Sequence, residues 1–211
     1  MIRKFWNRKH EGYRKEHNWA KEKPIFAELC AKNYFPKTGK LLEIGCGQGR
    51  DAAFFAGLGY TVTATDISDQ AIKYAKELSD KVKFIQLDTA EGLPFEDASF
   101  DVVYSYLALH YFDHETTKAI FTEIHRVLKP GGIFATVTNT VDDPEYHEPG
   151  WIKLEDNFYR APDGLTKRYF SLEYMQGLTA GLFETVLLDN QGESYQNGAQ
   201  TLIQFVGKKL K

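Results

Sequence analysis

Cysteine is scarce in this chain: Cys30 and Cys46 are the only two in 211 residues. Two thiols cannot build the disulfide framework that staples small secreted domains, so a reducing, cytoplasmic setting is the expectation. Long apolar runs are missing as well. No window approaches the roughly 20 consecutive apolar residues of a membrane helix. The start, Met1-Ile2-Arg3-Lys4-Phe5-Trp6, turns charged at once, unlike the apolar stretch of a signal peptide. No membrane partner is expected. Neither sign of charge dominates, since 26 Lys and Arg face 29 Asp and Glu for a formal net charge of −3. General nucleic-acid binding asks for a strongly basic domain, so no nucleic-acid partner is expected. Repeats and low-complexity tracts are absent. What the chain does have is apolar material: 43% of its residues are hydrophobic, enough at this length for a core without disulfides or metal. One domain spanning residues 1–211 is the expectation.

Three regions differ in character. Residues 1–38 are basic and aromatic, with eight Lys or Arg against three Glu in the first 23 positions. Tyr13, Trp19, Ile25, Phe26 and Leu29 give them helical periodicity, which predicts an N-terminal helical cap ending in the turn Pro36-Lys37-Thr38-Gly39. From residue 40 short apolar runs predict strands at Leu41–Ile44, Tyr60–Thr65, Val82–Leu87, Phe100–Tyr106 and Ile133–Thr138. Helical stretches lie between them at Arg50–Leu58, Asp69–Leu78 and Glu115–Leu128, the last stopped by Pro130-Gly131-Gly132. Strands alternating with such helices make βαβ units, hence an α/β fold with a parallel sheet covered on both faces. Residues 139–169 break the rhythm with three prolines and, between 142 and 156, six acids against one Lys. A connection of that length predicts a lid or substrate-binding insertion. A helix at Ser171–Ala180 and strands at Val186–Leu188 and Leu202–Val206 follow. These last two strands are too close for a helical crossover and should pair as an antiparallel hairpin.

The chemistry starts at Leu41-Leu42-Glu43-Ile44-Gly45-Cys46-Gly47-Gln48-Gly49-Arg50, where a buried strand runs into three alternating glycines and then a helix. Glycine permits the sharp turn and lets a ligand lie against the backbone, and the helix start offers free N–H groups to an anionic group. Asp66 ends the next strand, 21 residues after Gly45. Parallel strands bring their carboxyl ends side by side, so Asp66 should face the glycine turn, where a carboxylate can accept both hydroxyls of a ribose. A dinucleotide fingerprint, G-x-G-x-x-G, would need its third glycine where Arg50 stands. The segment instead reads E-x-G-x-G-x-G.

With these residues the chain resembles the class I S-adenosylmethionine-dependent methyltransferases, in particular the small-molecule branch with a type 11-like domain. The resemblance covers roughly residues 40–138. It extends through Phe84-Ile85-Gln86-Leu87-Asp88-Thr89-Ala90, through Leu93-Pro94-Phe95 and Ser99-Phe100-Asp101-Val102-Val103, and through Arg126-Val127-Leu128-Lys129-Pro130-Gly131-Gly132. It implies a Rossmann-like, doubly wound, seven-stranded sheet, mostly parallel with an antiparallel C-terminal hairpin, in the order 3-2-1-4-5-7-6. It also implies S-adenosyl-L-methionine as cofactor, S-adenosyl-L-homocysteine as product, and a small-molecule methyl acceptor as partner. By resemblance Gly45, Cys46, Gly47 and Gly49 carry the methionine part of the cofactor, and Glu43 braces the loop or a nearby amine. Asp66 takes the ribose, Ile67 and Leu87 sandwich the adenine, and Asp88 with Thr89 meets its edge. Cys46 sits where any small residue would serve.

In-line methyl transfer asks mainly for placement, so the catalytic candidates are few. They lie after the fourth strand, in Tyr104-Ser105-Tyr106-Leu107-Ala108-Leu109-His110-Tyr111-Phe112. His110 is either a proton acceptor or a residue that orients this loop, and Tyr104 either touches cofactor or packs. His110 and His114 are four apart, but Asp113 reads as an N-cap between them and no third ligand follows, so no metal site is expected. His10 and His17 in the basic arm are expected to be solvated. Trp6, Tyr13, Trp19, Tyr146, Trp151, Phe158, Tyr159 and Tyr169 are candidate walls of an acceptor pocket, with Arg160, Lys167 or Arg168 as candidate holders of an anionic acceptor and the acids at 142–156 as the alternative, favouring an amine. Two other readings stay open: a cofactor-binding regulatory or partner protein without turnover, and a nicotinamide-dependent oxidoreductase, against which Arg50 counts.

Overall fold

A computed structural model describes residues 2–16, 22–193 and 200–210; His17 and Trp19 lie outside them. Two helices come first, α1 (Ile2–Glu16) and α2 (Ile25–Asn33). The alternating region follows as β1 (Lys40–Ile44), α3 (Arg50–Gly57), β2 (Thr61–Asp66), α4 (Asp69–Leu78), β3 (Lys83–Gln86), β4 (Phe100–Tyr106), α5 (His114–Val127) and β5 (Leu128–Asn139). Three short strands, β6 (Ile152–Glu155), β7 (Phe158–Arg160) and β8 (Thr166–Arg168), precede α6 (Leu172–Thr179), β9 (Phe183–Glu193) and β10 (Gln200–Lys209).

The main sheet runs β3-β2-β1-β4-β5-β10-β9. Its first five strands are parallel, and β10 is antiparallel to both β5 and β9. This is the expected order, with the C-terminal hairpin inverted onto β5. Successive residues of the central strands go to opposite faces. Leu41, Val102, Tyr104 and Ala135 join Phe26, Cys30, Ala52, Phe55 and Ile72 from α2, α3 and α4. Leu42, Val103 and Phe134 join Ile120, Phe121, Ile124 and Met175 from α5 and α6. Burial on both faces is why β1 reads as a continuous apolar run.

Local capping chemistry places the helices. Ser68 Oγ accepts from Ala71 N at 3.0 Å to start α4, Asp113 Oδ1 accepts from Thr116 N at 2.8 Å to start α5, and Ser171 Oγ accepts from Tyr174 N at 3.1 Å to start α6. Each satisfies one of the free N–H groups at a helix start.

Two features go beyond the sequence reading. Pro130-Gly131-Gly132 does not separate a helix from a strand beginning at Ile133. α5 ends at Val127, and β5 begins at once and runs through the Pro-Gly-Gly stretch. The register on β4 moves from Phe100↔Leu128 to Val102↔Ile133, so three extra residues bulge outward, with Gly131 at φ +75° making the reversal. Second, residues 139–169, expected as a lid or substrate-binding insertion, carry strands that the sequence does not announce. β6, β7 and β8 form a separate antiparallel sheet. Every residue of β6 is exposed, which removes the apolar alternation that would have announced it. Arg168 braces this sheet and ties it to the main body: only 2% exposed, it donates within the sheet to Asp156 O at 3.2 Å and Glu155 Oε2 at 2.5 Å, and outside it to Phe112 O at 3.1 Å. Among the described residues no helix is long and apolar enough to cross a membrane.

Candidate active site

The carboxyl ends of β1, β2, β3 and β4 open into a cavity of about 990 Å³. Ligands of open α/β sheets bind at this edge, where the strand order reverses between β1 and β4. The volume lies at the upper end of the roughly 300–1,000 Å³ typical of small-molecule sites.

One wall is the glycine turn. Gly45 and Gly47 take φ of +71° and +53°, so the chain turns where a side chain would be strained. A Cβ on Gly45 would stand 2.1 Å from Ala108 Cβ, which means that the methyl of Ala108 in the loop after β4 rests on the bare Gly45 backbone of the turn after β1. Asp66 closes the turn from β2. Its Oδ2 accepts from Gly47 N and its Oδ1 from Ser68 N, both at 2.8 Å. Each oxygen keeps capacity toward the cavity. Burial pushes the Asp66 carboxyl up; His10 and then the two N–H groups pull it back.

Glu43 lines the cavity floor at 2% exposure, and its Oε2 has no hydrogen-bond partner. Burial, then the neighbouring Asp51, pushes its carboxyl well above the ordinary range, with Arg50 opposing. Such an orphaned oxygen is costly in a closed core and suits a ligand cation or amine. Beside it Arg50 Nε donates to Asp51 Oδ1 at 2.5 Å. Neither Arg50 nor Asp51 stands out in the sequence as part of the site, although both line the cavity. Ile67, Leu87, Asp88 and Thr89 line the far end, where Asp88 Oδ1 accepts from Ala90 N at 3.0 Å and so faces its turn into the cleft. Cys46 Sγ is buried and burial pushes its thiol well up, which makes it packing, not a nucleophile.

His110 stands at the opposite side with Tyr106, Leu107, Tyr111, Asn139 and Lys167. Leu107 holds φ +54°, an uncommon backbone for leucine that turns the chain out of β4 toward the cavity. His110 is 2% exposed and its Nδ1 has no partner. Burial, then Lys167, lowers its pKa to about 3, so the imidazole is neutral at physiological pH. Its carbonyl accepts from Arg168 N at 2.7 Å, which pins the loop.

Several sequence expectations move. Tyr104 is not at the cleft. It is fully buried, its ring lies among Phe26, Phe35 and Phe55, and its hydroxyl donates to Asp51 Oδ2 at 2.8 Å. Gly49 does not line the cavity either; at φ +83° it lets α3 approach α4, where a Cβ would meet Ala75 Cβ at 2.8 Å. His10 is not solvated but buried over Gly47. The aromatics of 139–169 pack among themselves, Tyr146 on Tyr159 at 4.7 Å and on Tyr169 at 4.5 Å. The cavity wall from this segment is polar instead: Asp143, Glu145, Glu148, Thr166 and Lys167, with Pro144. Lys167 is paired with Glu145 and Arg168 with Glu155, while Arg160 is exposed away from the cavity. Trp6 and Tyr13 of α1 do line it. His114 Nδ1 lies 3.0 Å from Tyr174 Oη, and among the described residues no group of three or more His, Cys, Asp or Glu could hold a metal.

A glycine cradle and a carboxylate near each of three neighbouring strand ends thus line one cavity at the edge of a Rossmann-like sheet. Residues 42–136, a little under half of the chain, match the methyltransferase domain family, and the chain is similar to methyltransferases in sequence and in fold. An uncharacterised methyltransferase of Synechocystis is 40% identical over 53% of this chain and 53% of its own length. The malonyl-[acyl-carrier protein] O-methyltransferase of Enterobacter lignolyticus is 27% identical over 75% of this chain and 58% of its own. The chain thus spans little more than half the length of these curated relatives. In fold it resembles the 1,6-didemethyltoxoflavin-N1-methyltransferase of Burkholderia thailandensis, solved with 1,6-didemethyltoxoflavin and S-adenosylhomocysteine bound. That likeness has a TM-score of 0.74 and 20% identity and covers 100% of this chain and 88% of that one.

Proposed function

We propose that the chain is an enzyme that transfers a methyl group from S-adenosyl-L-methionine to a small-molecule acceptor, releasing S-adenosyl-L-homocysteine. The observation that carries this reading is the cradle itself: Gly45 and Gly47 with positive φ, Asp66 held by two N–H groups, and an unpartnered Glu43 oxygen in one cavity. The residues fit the cofactor. Backbone at Gly45–Gly47 leaves room for its methionine part, and Glu43 offers a carboxylate oxygen to its amine. Asp66 offers two oxygens to the ribose, Ile67 and Leu87 offer apolar faces to the adenine, and Asp88 and Thr89 offer polar groups to its edge.

When bound, the cofactor supplies an electrophilic methyl on sulfur, so the protein needs neither metal nor redox chemistry for the transfer. The protein's own work is alignment and the exclusion of water. Holding acceptor and methyl in line is worth on the order of 7–11 kcal/mol. His110, neutral and unpartnered at Nδ1, serves better to orient an acceptor by a hydrogen bond than to take its proton, because its lowered pKa makes it a weak base. Trp6 and Tyr13 from the basic arm and Asp143, Glu145 and Lys167 from the insertion line the same cavity, and Lys9 Nζ pairs with Asp163 Oδ2 at 3.1 Å between the two segments. We read these segments as a lid. Burial of both free thiols suits a reducing, cytoplasmic setting.

The test is a screen of small acceptors with cofactor labelled in its methyl group, read by mass spectrometry. Labelled product supports the reading; saturable cofactor binding with no transfer across amine, hydroxyl, thiol and carboxylate acceptors would favour a binding protein without turnover. Hydrogen exchange with product bound tests the lid: protection gained in 2–16 and 139–169 supports it, and protection confined to the glycine turn removes it.

A further inference from the structure

His10 belongs to a run so basic that its sequence reads as a solvated face. Its helix is two-sided. Trp6, His10 and Tyr13 are four and three residues apart, one face of α1, and all three line the cavity. A second face docks on α4. Asn7 Nδ2 donates to Asp69 Oδ1 at 2.8 Å, Ser68 Oγ donates to Asn7 Oδ1 at 2.7 Å, and Arg14 pairs with Glu77 at 2.7 Å while covering Tyr74. Gln48 Nε2 donates to the His10 carbonyl at 3.3 Å. The helix therefore holds its inner face against the glycine turn.

His10 is 8% exposed, and its Nδ1 is buried without a partner. Its Cε1 would lie 3.3 Å from a Cβ on Gly47, so the imidazole rests directly on the turn whose N–H is held by Asp66. Tyr13 and Trp6 flank it with ring centroids at 5.7 and 6.1 Å. A buried ring nitrogen left without a partner is unfavourable, and the cavity beside it is where the partner would enter. A ribose hydroxyl is at once donor and acceptor. Asp66 can only accept from it, whereas a neutral imidazole can donate to it, so the two side chains are complementary around one hydroxyl.

We propose that His10 of α1 is a cofactor-binding residue, whose Nδ1 hydrogen-bonds a hydroxyl of the ribose alongside Asp66. This rests on the cofactor reading above. Helix α1 then contributes a contact to the cofactor site, not only a cover over it.

The experiment is calorimetric titration of S-adenosylhomocysteine and its 2′-deoxy and 3′-deoxy counterparts into the wild type, His10→Ala, His10→Phe, His10→Asn and Arg14→Ala, with melting temperatures read alongside. His10→Ala should weaken S-adenosylhomocysteine about five- to tenfold, the scale of one hydrogen bond. His10→Phe, which keeps a ring in place without nitrogen, should do the same, and His10→Asn should restore most of the affinity. One deoxy counterpart should bind wild type and His10→Ala alike, because the hydroxyl that His10 holds is already missing. Unchanged affinity in His10→Ala and His10→Phe overturns the proposal. So does an equal loss for all three ligands, or an equal loss in Arg14→Ala, since either assigns the effect to helix docking. Failure of the wild type to bind S-adenosylhomocysteine would remove the cofactor reading itself, whereas binding lost in Asp66→Ala but kept in His10→Ala would remove only the role of His10.

Discussion

Replacing Gly45 by alanine adds one methyl group at the tightest point of the site. Its φ of +71° lies in the left-handed region, which costs an L-residue roughly 1–2 kcal/mol. The new Cβ would stand 2.1 Å from Ala108 Cβ, whereas carbon atoms settle at about 3.5–4.0 Å. The two loops must therefore part by about 1.5 Å. Neither yields easily: Cys46 N is bonded to Thr65 O at 2.9 Å in the glycine turn, and Leu107 N to Val137 O at 3.0 Å and His110 O to Arg168 N at 2.7 Å in the other loop. Overpacking of this kind costs about 1–3 kcal/mol, for a total on the order of 2–5 kcal/mol divided between stability and cofactor affinity. Urea unfolding and titration with S-adenosylhomocysteine measure the two shares. Ala108→Gly in the same chain should recover the packing share and leave the backbone share. Gly57→Ala is the control: nothing lies within 4 Å of its added Cβ and it ends a helix, so it should be neutral or stabilising by up to about 1 kcal/mol. If Gly45→Ala stays within about 0.5 kcal/mol of wild type in both assays, the close approach of the two loops is wrong.

Removing Tyr104's hydroxyl leaves Asp51 Oδ2 without that donor in the core, so Tyr104→Phe should destabilise by about 1–3 kcal/mol in urea while cofactor affinity holds. Loss of affinity without loss of stability would return Tyr104 to the cleft. His110 titrates in the unfolded chain near 6.5 and in the fold near 3. Between those values the unfolded state binds the extra proton, so stability falls as pH drops through this window. His110→Gln should flatten that part of the profile, by on the order of 1–2 kcal/mol between pH 7 and 5; an unchanged slope would contradict the buried neutral imidazole. His110→Ala should slow transfer by less than the roughly 10²–10⁴ of a lost general base, and a larger loss at intact cofactor affinity would make it catalytic. Arg168→Met should loosen the small sheet, seen as faster proteolysis within 150–166, because two side-chain hydrogen bonds within the sheet and one to Phe112 O outside it vanish; resistance equal to wild type would refute its bracing role.

Legibility in the sequence follows the range of the interactions. β1, the glycine turn and Asp66 are readable because strand, turn and acid form a local unit with fixed spacing. The sheet order follows once those units are recognised. His10 is hidden by the arginines and lysines around it, although the spacing of Trp6, His10 and Tyr13 carries the signal that one face of α1 is different. Tyr104 misleads because it lies near the carboxyl end of β4, whereas strand alternation, two residues after Val102 on the same face, sends its ring into the layer of α2 and α3. The insertion hides its sheet because exposed strands of three or four residues carry no apolar period. Its aromatics are spent on one another, which sequence alone cannot distinguish from a pocket wall.

The central claim, that this cleft holds the adenosyl cofactor on Asp66, is tested most directly by titrating S-adenosylhomocysteine into wild type and Asp66→Ala under identical conditions. Saturable one-to-one binding to wild type, weakened by about 1–3 kcal/mol in the variant through lost charge-assisted hydrogen bonds, is the predicted result. Absence of binding to the wild type, or equal affinity in a folded Asp66→Ala, would contradict it.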